Sequence, residues 1–213
     1  METNYVLLEL FTSQGCSSCP PADRVLKRLE EDAGQGDLSV VALSYHVDYW
    51  NRLGWKDPYS QKAFSQRQYT YADKLGDNRV YTPELVINGT SGHIGSRETE
   101  IRNRIQKLSK GLDYLSFQAE LDPSSKSISF QFEEAPGDVL LQMALVQPTV
   151  VNAVPRGENT GRTLEHVQVV EQLITIESPQ RSGQVTLEAY AADQEVIVFL
   201  QDQKTWEVKG VQK

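Results

Sequence analysis

Residues 11–23 read Phe-Thr-Ser-Gln-Gly-Cys-Ser-Ser-Cys-Pro-Pro-Ala-Asp, and this stretch sets the local architecture of the N-terminal part. It contains the two cysteines of the chain, Cys16 and Cys19, separated by two serines. The short apolar run at residues 5–11 predicts a strand before them. Two prolines follow Cys19 and suit the first turn of a helix, where an N–H group has no partner within the helix. The stretch therefore predicts a strand, a C-x-x-C turn and a helix in succession.

The position of Cys16 just before a helix predicts reactivity, because the amide groups and dipole at a helix N-terminus stabilise a thiolate. Cys19 lies one turn further on, close enough to form a disulfide with Cys16. This arrangement is typical of thiol–disulfide exchange sites. We expect Cys16 to be the more exposed cysteine and the nucleophile that attacks a disulfide sulfur, while Cys19 resolves the mixed disulfide.

Two other uses of the cysteines stay open at this stage. A structural zinc site needs four ligands, and the three histidines, His46, His93 and His166, do not form a closely spaced pair. Two thiolates with His46 would nevertheless suit Cu(I) or zinc in a metal-binding module. Alternatively, the bridge is structural and the protein is a non-catalytic binding scaffold. We predict redox chemistry with no cofactor and no metal ligands, and keep both alternatives.

Composition narrows the class of partner. The chain has 213 residues, of which 39% are hydrophobic and 23% charged, as in an ordinary globular protein. A net charge of −8 argues against nucleic acid and anionic membranes as partners, and no apolar run is long enough to span a membrane. We expect a protein or small-molecule disulfide or dithiol as partner; the oligomeric state is unknown. No signal peptide is visible, so we expect a cytoplasmic protein, or a periplasmic or secreted one if a signal has been removed.

A second apolar run at residues 38–45 predicts a buried strand that ends at His46. If this strand is parallel to the first, His46 and Asp48 lie at the same edge of the sheet as the cysteines. His46 could then assist proton transfer or stabilise a thiolate, or it could be a hydrogen-bonded structural histidine. Asp48 would hold that imidazole or cap the loop, and Asp57 with the following proline predicts the start of a helix.

The element order predicted for residues 1–111 is β-α-β-α-β-β-α, with C-x-x-C after the first strand and Thr82-Pro83 before a late one. This combination resembles the thioredoxin-like fold. In that family a cis-proline lies against the cysteines, so the resemblance implies a cis Pro83 that, with Thr82, shapes a substrate groove. The sequence departs from the family in having Ser17-Ser18 between the cysteines and no tryptophan before Cys16.

Longer motifs resemble one bacterial family, DUF1223, which is thioredoxin-like and often described as secreted. They are GCSSCPPAD at 15–23, HVDYWNRLGWKDPYS at 46–60, RQY at 67–69, YTPELVING at 81–89 and RGENTGRTL at 156–164. The resemblance implies the fold over nearly the whole chain and does not assign a reaction. Within these motifs, Trp50 covers apolar surface near the cysteines or stacks on a substrate.

From residue 112 onward the sequence predicts seven short strands separated by proline- and glycine-containing turns. The predicted fold class is therefore an α/β thioredoxin-like domain, residues 1–111, followed by an all-β, sandwich-like domain, residues 112–213. The polar loop from Arg156 to Arg162 is either a hairpin connection or reaches the cysteine face. In the second case its arginines would bind a carboxylate or phosphate of the substrate.

Overall fold

A computed structural model describes residues 5–36, 39–77 and 79–213. The second strand was predicted to begin at Leu38, which lies outside these ranges, as do residues 1–4. The described helices are α1 (Pro20–Gly34), α2 (Lys62–Lys74) and α3 (Glu98–Leu108), with a short 3-10 helix at Asn51–Leu53. None of them has the length and apolar character to cross a membrane.

Eleven strands account for most of the regular structure in the described residues. The first four are β1 (Val6–Thr12), β2 (Val40–His46), β3 (Glu84–Ile87) and β4 (Ser91–Ile94). The other seven overlap the seven predicted from residue 112 onward: β5 (Phe117–Asp122), β6 (Ser127–Phe132), β7 (Val139–Val154), β8 (Arg162–Glu177), β9 (Ser182–Thr186), β10 (Glu195–Asp202) and β11 (Val208–Gln212). β7 and β8 have 16 residues each and are not the short strands that were predicted.

Eight of the strands form one mixed sheet in the order β11-β10-β7-β8-β2-β1-β3-β4, and β5-β6-β9 form a small second sheet. β1 and β2 are parallel and in register from Val6 opposite Val40 to Thr12 opposite His46. The loops that follow Thr12 and His46 therefore leave the same edge of the sheet. β2 also pairs in parallel with β8, with Ser44 opposite Val169.

The predicted fold class, a thioredoxin-like α/β domain followed by a separate all-β domain, is wrong. The protein is mostly β, and strands from both segments form a single sheet that joins at β2 and β8. β2 is buried along its whole length, so both of its edges need a backbone partner. Periodicity identifies such a strand without revealing its distant neighbour. The division at residue 111 stays a prediction.

Two apolar cores cover the two faces of the sheet near the cysteines. Alternating β1 residues explain this, because Leu8 and Leu10 point to the core that contains Val25 and Leu29 of α1 and Ile101 and Ile105 of α3. The intervening β1 residues Leu7 and Phe11 point to the core that contains Phe64 and Tyr71 of α2. The apolar residues of β1 therefore alternate between the two faces of the sheet, and those of α1 and α3 recur at helical spacing on the face that packs on it.

A third core joins the small sheet to the large one. Phe117, Ile128 and Phe132 of the small sheet pack with Leu141 and Met143 of β7. The next residues of β7 on the opposite face, such as Ala144 and Val146, belong to the core under α2. β7 thus contributes to two cores, which ties the C-terminal strands to the N-terminal half of the molecule.

Candidate functional site

Cys16 and Cys19 form a disulfide at the start of α1. The turn between them is closed by a hydrogen bond from the Cys19 N–H to the Cys16 carbonyl, 3.2 Å, and Cys19 is the N-cap of the helix. Both cysteines are 0% exposed, whereas Ser17 and Ser18 between them are exposed. The expectation that Cys16 is the more exposed cysteine is therefore wrong for the oxidised form.

Thr82 lies against the disulfide, and its peptide bond to Pro83 is cis, as expected from the resemblance. The Thr82 hydroxyl donates a hydrogen bond to Cys16 Sγ at 3.3 Å. Trp50 Nε1 in turn donates to Thr82 Oγ1 at 2.8 Å. Trp50 therefore fixes the orientation of the threonine hydroxyl, in addition to covering Gly15, where an added Cβ would lie 3.2 Å from Trp50 Cβ.

Hydroxyl groups matter here because the helix offers few free amide donors. The first two helical residues are Pro20 and Pro21, which have no N–H, and the Ala22 N–H is bonded to the Cys19 carbonyl at 2.8 Å. Besides Thr82, the Ser18 hydroxyl lies 3.4 Å from Cys16 Sγ. A thiolate on Cys16 would therefore depend on these two hydroxyls as well as on the helix dipole.

His46 lies at the end of β2 and is fully buried. Its Nδ1 is 2.7 Å from Asp57 Oδ2, and the same carboxylate oxygen accepts the Gln14 N–H at 2.7 Å. Burial alone would raise the pKa of Asp57, but the His46 imidazole and the N–H groups of Gln14 and Tyr59 hold that pKa below its usual value. His46 thus joins the loop after β2 to the segment that leads into the cysteines.

Asp57 replaces Asp48 as the partner of His46. Asp48 instead interacts with α2, where its N–H donates to Ser65 Oγ at 3.0 Å and its carboxylate accepts the Ser65 hydroxyl. Asp57 was predicted to start a helix, but α2 begins at Lys62. The Asp57 carboxylate is therefore buried at the site rather than placed at a helix end. The proline beside it gave a misleading capping signal.

His166 and Asp23 were not predicted as site residues. The rings of His166 and His46 pack edge to face with centroids 4.6 Å apart. His166 Nδ1 lies 3.5 Å from Asp23 Oδ2, an ion-pair distance longer than a good hydrogen bond, and Thr12 donates to Asp23 Oδ1 at 2.9 Å. Asp23 follows Cys19 by four residues, so both face the same side of α1. That spacing was the available sequence signal.

The His166–Asp23 pair predicts a pH-dependent stability. Burial lowers the pKa of His166, but the negative charges of Asp23, Asp57 and Glu165 outweigh burial and raise this pKa above its ordinary value. The neighbouring His46 packs on the same ring. Because the folded pKa is the higher one, this stabilisation is complete below the unfolded value of about 6.5 and is lost as the pH rises through the folded pKa.

We therefore expect urea unfolding to give a lower free energy of unfolding at about pH 8 than at about pH 6, by an increment that His166→Gln removes. Asp23→Asn should reduce the same increment, since it removes the nearest negative charge. Each variant is compared with itself at the two pH values, so its overall loss of stability does not affect the result. An unchanged increment in both variants would contradict the assignment.

The loop from Arg156 to Arg162 connects β7 to β8 and does reach the cysteines, although not through its arginines. Glu158 Oε2 accepts the Ser17 N–H at 3.0 Å. Asn159 Nδ2 donates to the carbonyls of Gln14 and Cys16, both at 2.9 Å. Arg156 is exposed, and Arg162 donates to Asn159 Oδ1 at 3.1 Å. The predicted reach of the loop is thus present, with a carboxylate and an amide in contact.

The metal alternative gains no geometric support. Among the residues that the structure describes, no group of three or more histidine, cysteine, aspartate or glutamate side chains converges as in a metal site. His46, which was to complete a thiolate site, uses Nδ1 for Asp57. The described side chains therefore bring the cysteines together with hydroxyls, not with further metal ligands.

One comparison with known proteins shows the family, and another shows solved structures of similar fold. The model of the family described as Protein of unknown function (DUF1223) matches residues 7–201. A crystal structure of protein AGR_C_4864 from Agrobacterium tumefaciens is similar at a TM-score of 0.78 and 28% identity, covering 99% of this chain and 92% of that one. HBP35 of Porphyromonas gingivalis is similar in fold, with a TM-score of 0.65, 12% identity and coverage of 100% and 75%. The comparison with curated proteins found no match.

Proposed function

The chain belongs to the DUF1223 family, and we propose that it is a thiol–disulfide oxidoreductase that works through Cys16 and Cys19. The substrates would be disulfides or dithiols of proteins or small molecules. The observation that supports this proposal most directly is the contact of the Thr82 hydroxyl with Cys16 Sγ at the start of α1. In that position the hydroxyl would stabilise a thiolate on Cys16, because hydrogen bonds to charged groups are the stronger ones.

The exchange is balanced with a dithiol substrate. A substrate thiolate attacks Cys16 Sγ, the Cys16–Cys19 bond breaks, and Cys19 leaves as a thiolate that takes up a proton. The second substrate thiol loses its proton and attacks the substrate sulfur of the mixed disulfide, which releases Cys16 as a thiolate. The substrate is oxidised by two electrons and the protein is reduced by two. The reverse sequence reduces a substrate disulfide.

The residues around the bridge have separate tasks in this scheme. Thr82 and Ser18 would stabilise the departing Cys16 thiolate, because charge-assisted hydrogen bonds are the stronger ones. Trp50 keeps the Thr82 hydroxyl directed at the sulfur, since its indole N–H donates a hydrogen bond to Thr82 Oγ1. Both cysteines are buried, so a substrate sulfur reaches Cys16 only when a neighbouring segment moves.

A trapping experiment tests the proposal. The reduced Cys19→Ser variant is mixed with dithiobis(nitrobenzoate), the symmetrical disulfide of thionitrobenzoate. It should form a stable mixed disulfide on Cys16, because no second thiol resolves it. The reduced wild-type protein should release two thionitrobenzoate ions and close its bridge. Mass spectrometry and the absorbance of the released ion measure both outcomes.

The Cys16→Ser variant is the matched control, since it keeps one thiol in the same segment. We expect Cys19 in that variant to react much more slowly than Cys16 in Cys19→Ser, because the Thr82 hydroxyl contacts Cys16. Equal reactivity of the two variants, at the rate of a simple peptide thiol, would favour the structural-bridge alternative instead.

A further inference from the structure

The loop between β7 and β8 is a built part of the cysteine site. Asn159 is completely buried, and its side-chain amide makes two hydrogen bonds to carbonyl groups of the segment from Gln14 to Cys16. Glu158 adds a hydrogen bond to the N–H of Ser17, the residue that follows Cys16. A loop far along the chain thus contacts the cysteine segment at three backbone atoms.

The conformation of this loop is fixed from within the hairpin. The Gly161 N–H donates to the Val154 carbonyl at 2.8 Å, and Arg162 holds Asn159 by its Oδ1. Gly157, with a φ of +82°, packs on Trp55, where an added Cβ would lie 3.3 Å from Trp55 Cβ. The Glu158 carboxylate is therefore placed at the site by a defined framework.

Glu158 places a negative charge on the solvent side of the cysteine segment. Hydrogen bonds from Ser17 lower the pKa of this carboxyl group, which is therefore ionised at neutral pH. The two arginines of the loop do not contact the cysteine segment. Arg162 donates to Asn159, and Arg156 is exposed to solvent. Asp57 and Asp23 are buried among their own partners and do not face an approaching substrate.

We infer that Glu158 is a specificity-determining residue that makes the redox site prefer cationic thiols and disulfides, such as peptide cysteines flanked by lysine or arginine. The inference rests on the proposed function. Ser17 and Ser18 are the exposed residues between the two buried cysteines, and the Ser17 N–H donates to Glu158. A substrate that approaches Cys16 across these serines would bring its charged groups near the carboxylate. The net charge of −8 acts in the same direction, but over the whole surface.

Three small thiols of matched size test the inference: cysteamine (cationic), 2-mercaptoethanol (neutral) and 2-mercaptoethanesulfonate (anionic). The oxidised protein is mixed with each thiol at low salt, and bridge opening is followed by alkylation and mass spectrometry. For each protein, the rate with cysteamine is divided by the rate with 2-mercaptoethanesulfonate. This ratio is then divided by the ratio that the same two thiols give with a neutral small disulfide, which cancels their intrinsic reactivities. We expect Glu158→Gln to lower this ratio roughly three- to tenfold.

Glu177→Gln is the matched control, because Glu177 is an exposed carboxylate at the opposite end of β8. It should leave the ratio unchanged, and about 0.5 M salt should reduce the difference between wild type and Glu158→Gln. Equal ratios in wild type and Glu158→Gln, with all three thiols opening the bridge, would overturn the inference and leave the exchange function intact. If no thiol opens the Cys16–Cys19 bridge faster than it opens the small disulfide, both the inference and the proposed exchange function are overturned.

Discussion

Replacing Arg67 with methionine should lower the free energy of unfolding by about 3–5 kcal/mol, the usual result of removing one member of a buried ion pair. Arg67 Nε donates to Glu9 Oε2 at 2.7 Å, and the two side chains are 5% and 1% exposed. Without the guanidinium, the Glu9 carboxylate remains in the core between β1 and α2 with no positive charge. Its partner Tyr71, which donates to Glu9 Oε1, supplies a hydrogen bond but no charge.

The effect should be large because Arg67 connects both halves of the sequence. Its guanidinium also donates to Gln201 Oε1 on β10 at 2.8 Å. Its charge lies over four aromatic rings, those of Tyr45, Tyr71, Phe199 and Trp206, at 5.0–5.6 Å from the ring centroids. Loss of these contacts adds to the cost of the unpaired carboxylate.

Urea unfolding at neutral pH measures this prediction, with Arg28→Met as the matched control. Arg28 also forms an ion pair, with Glu98, but their side chains are 47% and 28% exposed. Exposed pairs contribute at most about 1 kcal/mol, so the control should change stability little. The double variant Glu9→Gln with Arg67→Met should recover part of the loss, because it removes the unpaired charge. An Arg67→Met variant that loses no more stability than Arg28→Met would contradict the assignment.

Local features of the site could be predicted because they depend on neighbours in the sequence. The strand before Cys16 and the helix after Cys19 each follow from residue types over a few positions. The cis bond at Pro83 was expected from the family resemblance instead. The common edge of β1 and β2 was expected on the condition that the two strands are parallel, and they are parallel. Those elements lie where the sequence placed them.

Long-range pairings could not be predicted in the same way. The pairing of β8 with β2 decides the fold class, and no local pattern in either strand names the other as its partner. Arg67 looks like a helix surface residue until Glu9 and Gln201 are brought to it. Glu158 likewise could not be assigned to the site before its hydrogen bond with the Ser17 N–H was known. Charged residues whose partners are more than fifty positions away are therefore the part of the site that sequence reasoning misses.

Replacing Thr82 with valine should raise the pKa of the Cys16 thiol in the reduced protein by roughly one to two units. A hydrogen bond to a charged group contributes about 1.5–3 kcal/mol, and one pKa unit corresponds to about 1.4 kcal/mol. Valine keeps the shape of threonine but removes the hydroxyl that donates to Cys16 Sγ. Because Pro20 and Pro21 have no N–H, the first turn of α1 offers no amide donor in place of this hydroxyl; the Ser18 hydroxyl and the helix dipole remain.

The rate of Cys16 alkylation by iodoacetamide, measured against pH in the Cys19→Ser background, tests this prediction. Thr82→Val should shift the midpoint upward and slow alkylation at neutral pH by up to about ten- to hundredfold, since the thiolate is the reactive form and its fraction falls about tenfold per pKa unit. Thr82→Ser retains a hydroxyl and should restore most of the rate. Trp50→Phe keeps the Thr82 hydroxyl but removes the hydrogen bond that orients it. This variant should therefore shift the midpoint of the Cys16 profile upward by less than Thr82→Val does. If the profiles of Thr82→Val and the parent coincide, the hydroxyl does not stabilise the thiolate, and the geometric support for Cys16 as the reacting sulfur is lost.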